Sequence, residues 1–161
     1  MFDKDEILRA RSAHQAQAAS AQHETDMAAE RLKHLTEVSA PQLLAEFTRV
    51  AQETKLVSYT MVDATAQPRF FAGPRRFTVW WVWDEPHHRD YWERLFVSGD
   101  GRLWSGHGGL DSELGGYPST VASLLRDSLS LYTTGLTQTQ LEEGQQKLQG
   151  ILENALKKPL T

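Results

Sequence analysis

Arg76-Phe77-Thr78-Val79-Trp80-Trp81-Val82-Trp83-Asp84 is the most aromatic run of this chain and holds three of its five tryptophans. Counted in twos, Phe77, Val79, Trp81 and Trp83 take one face, and Thr78, Trp80, Val82 and Asp84 the other. Aromatic and β-branched residues suit a pleated surface, so the run reads as a strand. Its first face is apolar throughout. The second has Trp80 and Val82 at its centre and needs cover too, from a helix, a loop or another subunit. A strand buried on both sides is central to its sheet, and Trp81 is expected in the core.

Neighbouring strands lie on either side in sequence. Residues 56–62 alternate, with Val57, Tyr59 and Met61 on one face, and Arg69-Phe70-Phe71 reads as a short strand or a strand start. After a polar connection at 84–90, residues 91–97 form the next strand and Ser98-Gly99-Asp100-Gly101 turns the chain. With Asp100-Gly101 as the central pair, Val97 is expected opposite Trp104 and Ser98 opposite Leu103. Residues 106–116 carry five of the eleven glycines and are expected to form no regular element.

Helices occupy both ends. Residues 3–37 contain neither glycine nor proline and favour helix, with Asp3, Asp5 and Glu6 at the positive end of its dipole. Between Arg9 and Asp26 the only apolar side chains are alanines, so this helix cannot lie deep in a monomer core. It is expected to be a solvated arm, or to offer its alanine surface to a second helix. Ser39 and Pro41 predict a fresh helix start, followed by Leu43, Leu44, Phe47, Val50 and Ala51 on one face of residues 41–54. Residues 118–132 give another apolar stripe, opened by Tyr117-Pro118-Ser119-Thr120. A last helix begins near Thr137 with a capping box to Gln140. Gly144 and Gly150 weaken that last helix but would let it approach the alanine surface of the first. Together these predict an α+β fold: two N-terminal helices, an antiparallel meander of about four strands, and two C-terminal helices. Residues 1–38 are the expected arm and 39–161 the globular domain.

Composition narrows the function classes. The chain has 161 residues, 40% apolar and 24% charged, as in a soluble domain, with a net charge of −4 that argues against nucleic-acid binding. With no cysteine there is no disulfide framework and no thiolate nucleophile. No secretory signal and no membrane-spanning run are recognised, so a cytoplasmic home is expected.

Three constellations could carry chemistry. Asp84-Glu85-Pro86-His87-His88 collects metal-ligand types, but adjacent histidines on an extended chain point apart. Gly106-His107-Gly108-Gly109, with Asp111 and Glu113, could cradle an anion or supply a base, yet it matches neither the phosphate loop nor the dinucleotide fingerprint. It also lacks the nucleophile elbow that accompanies an esterase oxyanion stretch. Arg69, Arg75 and Arg76 interleave with Phe70, Phe71 and Phe77, but between residues 69 and 102 six arginines meet five carboxylates, which leaves the local field nearly neutral. His14, His23 and His34 do not line one helix face and read as solvated.

The leading expectation is a non-enzymatic protein–protein interaction module: an adaptor, a chaperone-like protein or a regulatory subunit. It would use the helical arm and an aromatic surface comprising Trp80, Val82, Phe70 and Phe71. A homodimer is expected, with no cofactor. The alternative is a small enzyme or a ligand- or metal-binding protein that uses loops 84–90 and 106–116, with His87, His88, His107, Asp111 and Glu113 as its binding residues.

Overall fold

The tryptophan-rich run becomes the middle of a 13-residue strand in a computed structural model of the chain. The structure describes residues 1–65, 75–88, 91–107, 114–121 and 136–157, with backbone alone at 85–88, 91–93 and 107. Five strands follow in order: β1 (Tyr59–Asp63), β2 (Arg76–His88), β3 (Tyr91–Ser98), β4 (Leu103–His107) and β5 (Leu114–Pro118). Each pairs antiparallel with the next, and β5 returns to pair with β1, so the sheet closes into a barrel. An odd number of alternating strands brings the first and last together in the same direction. Closure is therefore a parallel pair, Met61 opposite Leu114. The expected open meander of four strands is corrected to this five-stranded barrel.

The correction comes from the glycines. Gly106 lies in β4 and Gly116 in β5, and the two are register partners. A Cβ on Gly106 would collide with the ring of Phe96, and one on Gly116 with the side chain of Met61. Both large side chains are fully buried inside the barrel with Val79, Trp104 and Leu114. A barrel of five strands is too narrow for side chains from every strand, so glycine is what lets Phe96 and Met61 fill it. Part of the glycine-rich segment is thus strand, and Tyr117 and Pro118 end β5 rather than opening a helix.

Both faces of β2 are covered by the chain itself. Val79 points into the barrel, while Trp80 and Val82 point outward to the helices, at 4% exposure each. Trp81 faces Phe96 and Trp83 faces Leu95, so Val82 is an extra residue, a β-bulge. The bulge turns Trp83 to the helix side, where Lys147 Nζ lies 5.1 Å from its ring centroid. The simple alternation that put Trp83 with Trp81 is corrected accordingly. The β3–β4 turn differs as well. Gly101 donates to the Ser98 carbonyl at 2.9 Å and has φ +79°, so the loop is three residues long. Val97 then pairs with Leu103 and Phe96 with Trp104, one residue away from the expected register. That slip is what puts Phe96 and Trp104 inside together.

Helix α1 (Lys4–His34) runs through a π-helical turn (Leu35–Ser39) directly into α2 (Ala40–Glu53). Ser39 has helical angles and makes no cap; the expected break becomes a bulge. Residues five apart on an α-helix point about 140° apart. The wider turn, in which Ala40 N–H reaches Leu35 O, brings both residues to the core side, where they are fully buried. From there Leu44, Phe47 and Ala51 continue the buried face as predicted.

The C-terminal helix α3 (Gln138–Leu156) starts with the predicted Thr137–Gln140 capping box and buries Leu141, Gly144, Leu148, Leu152 and Ala155. It lies against α2 rather than along the alanines of α1. Gln145 Nε2 donates to Ser39 Oγ at 2.7 Å, fastening α3 to the π-turn. Helices α2 and α3, with β2–β4, enclose the larger core, where Phe47 meets Trp80 edge-on at 6.2 Å. The helix expected at 118–132 lies mostly outside the described residues.

Candidate functional site

Three surfaces have geometry worth weighing, and the arm is the most unusual. Asp3 caps α1 by accepting from Asp5 N–H at 2.9 Å, and Asp5 and Glu6 occupy its first turn, as dipole arguments require. The helix is 31 residues long, about 46 Å at about 1.5 Å per residue, and none of its residues is buried. Residues 1–27 are exposed on every side. Among them Ile7, Leu8 and Met27 are large apolar residues 40%, 47% and 40% exposed. His14, His23 and His34 are exposed, as expected. Among the described residues the arm is anchored only at its base: Leu32 rests on the core, and Arg31 Nη1 donates to the Leu136 carbonyl at 3.0 Å. Two charge clusters stand out on the free part, Arg9 with Arg11 and Glu24 with Asp26.

A second surface is the open groove of about 580 Å³ between α2 and α3. Leu43, Val50 and Leu156 contribute its apolar lining, and Glu46 and Glu153 lie along it. Arg49 bonds Glu53 and Glu46, both at 3.0 Å, and these hydrogen bonds hold its guanidinium above the ordinary value. A smaller cleft of about 230 Å³ lies beside the β3–β4 turn, between Asp63, Arg75 and Arg102. There Ser98 Oγ accepts from Trp104 Nε1 at 3.0 Å and donates to Asp100. These hydrogen bonds hold the turn.

The predicted site residues fare unevenly. His87 and His88 close β2, and His107 closes β4. Both strands run antiparallel to β3, so their ends lie at the same end of the barrel, and Asp84 and Gly106 flank Arg94 from either side. Toward that end Trp81 Nε1 donates to Asp84 Oδ1 at 2.8 Å, and its ring lies 5.9 Å from the Arg94 guanidinium carbon. His88 pairs with Tyr91, well beyond the level of His107. The two histidine-bearing ends therefore share a rim but not a row. Asp111, Glu113, Phe70 and Phe71 lie outside the described residues. Among the described residues, no three His, Asp or Glu side chains gather as a metal site, and no helix is long and apolar enough to cross a membrane. Trp80 and Val82, expected on an interaction surface, are covered by the chain's own helices.

No family model, curated protein or solved structure matches this chain. The groove between α2 and α3 was missed in the sequence, because an amphipathic pattern marks what is buried and not where two buried faces diverge.

Proposed function

We propose that this protein is a non-enzymatic interaction module, an adaptor, a chaperone-like protein or a regulatory subunit of the cytoplasm, in which the globular domain, residues 39–161, presents the arm of residues 1–38 to a protein partner. The observation that carries the reading is the absence of any buried residue along the 31 residues of α1. Most of a helix's stability in a protein comes from packing one face against another surface, and among the described residues α1 has no such surface within its own chain along residues 1–27. A chain that keeps so long a helix free of glycine and proline, yet buries none of it, makes best sense if another protein covers it. The alanines and serines of residues 10–22 favour such cover, since small side chains let a second helix approach closely. The body supports presentation: the π-turn makes α1 and α2 one continuous rod, and α2 is locked to the barrel through Phe47 and Trp80.

Photo-cross-linking in the native cell tests this. A benzophenone side chain placed at Ala16 or Ala19 of the full-length chain should give abundant adducts. The same group at Arg102, exposed on the barrel turn, should give few. Adducts at Arg102 and none on the arm would reject the arm as the binding element.

A further inference from the structure

We infer that the partner of α1 is α1 of a second copy of this chain, lying antiparallel about a two-fold axis between Gln17 and Ala18. The inference rests on the reading of α1 as a binding arm and adds the identity and direction of what it binds.

The free face of the helix is the starting point. Leu8, Ser12, Ala16, Ala19, His23 and Met27 follow one another at intervals of three and four and so lie along one side. All six are exposed. Leu32 and Leu35, which dock the base of the arm on its own core, lie on the opposite side. A partner can therefore reach the free side without meeting the body of the chain that carries it.

That side is small in the middle and large at both ends. Turned end for end about the point between Gln17 and Ala18, Leu8 of one copy meets Met27 of the other, Ser12 meets His23, and Ala16 meets Ala19. The alanines and serines let the two backbones close together at the axis. The two exposed large apolar residues then cover each other at each end, which neither can do within its own chain.

Charge decides the direction. In this arrangement Arg9 lies beside Glu24 of the second copy, and Arg11 beside Asp26, on their respective sides of the interface. Symmetry repeats both pairs. The two arginines and the two carboxylates are each two residues apart, so one register satisfies all four pairs together. One like-charge contact, Asp5 near Glu30, comes with it at each end, two in all, and Lys4 and Arg31 stand one residue away at those same ends. Parallel pairing would set Arg9 on Arg9 and Asp26 on Asp26. Exposed pairs of this kind contribute little affinity each, but they discriminate strongly between arrangements that pair them and arrangements that oppose them. A two-fold pairing is also the commonest route to a closed assembly, because one patch serves both subunits.

Sedimentation equilibrium on the full-length chain tests this with two variants. The wild type should be a dimer. Arg9→Glu with Arg11→Glu sets four like-charge contacts in the interface and should weaken dimerisation about tenfold or more. Adding Glu24→Arg and Asp26→Arg to that variant reverses every pair and should restore the dimer. Far-ultraviolet circular dichroism of each variant checks that α1 remains helical. A monomeric wild type would overturn the second copy as partner. A double variant as dimeric as the wild type, or a helical fourfold variant that stays monomeric, would overturn the antiparallel register. The cross-linking adducts separate this inference from the reading beneath it. Arm adducts whose mass is not twice that of the chain would keep the arm as binding element and remove self-pairing. No arm adduct would remove both.

Discussion

Phe96→Ala is expected to lower the unfolding free energy by about 3–5 kcal/mol, the range for emptying a buried aromatic site. Phe96 is fully buried inside the barrel, opposite Trp104 in the β3–β4 register and 6.4 Å, centroid to centroid, from the ring of Tyr59. A site on a flat sheet can relax when a ring is removed, because its covering layer moves inward. A closed barrel cannot, since each strand is tied to two neighbours and collapse of one wall would break ladder hydrogen bonds on both sides. The cavity should therefore persist, which places the loss at the upper part of that range. Gly106 adds to the effect: the absence of a side chain there exists to admit the Phe96 ring, so nothing stands ready to fill the space. Denaturant melts would measure this, and a loss below about 1 kcal/mol, as at exposed sites, would be incompatible with the closed barrel.

Trp80→Ala probes the other core and should cost a comparable amount, about 3–5 kcal/mol. Its ring lies between the outer face of β2 and helix α2, edge-on to Phe47, and is 4% exposed. Removing it should loosen the helices from the barrel as well as destabilise the fold. Near-ultraviolet circular dichroism, which reports aromatic packing, should flatten at denaturant concentrations where the barrel is still intact. Trp81→Ala is the internal control. Trp81 is one residue along but half-buried at the barrel end, so its loss should be clearly smaller. Equal losses at the two positions would mean that β2 is not covered by helices on its outer face.

The contrast between these adjacent tryptophans marks how far the sequence could be read. Alternation along residues 76–84 placed Phe77 and Val79 on one side and Trp80 and Val82 on the other, because pleating alone determines that. It could not place Trp83, since the bulge at Val82 is a property of the β2–β3 ladder and not of either strand. The glycines misled for a similar reason. Gly106 and Gly116 look like loop residues, and what makes them strand residues is the bulk of Phe96 and Met61, far off in sequence. Ser39 and Pro41 looked like a helix start because caps are judged locally. The π-turn there serves a tertiary need, bringing Leu35 and Ala40 to one side. The arm was the most legible element, as a helix without large apolar residues in its middle has no means of joining a core. Its charge palindrome was equally present in the sequence, yet it acquires meaning only once the helix is seen to stand clear of the body. For His87, His88 and His107, topology shows that the strand ends share one rim of the barrel; their side chains, like Asp111 and Glu113, lie outside the described residues.

Hydrogen exchange of residues 8–27 in the full-length protein, followed from low micromolar to near-millimolar concentration, tests most directly whether α1 is held by a partner. An uncovered helix opens readily and its amides exchange quickly, whereas a covered one must first dissociate. Protection over residues 8–27 should deepen as concentration rises, while the amides of β2 and β3 stay equally protected throughout. Slow exchange along the arm that is the same at the lowest concentration as at the highest would contradict the account, because the helix would then need no partner to stand.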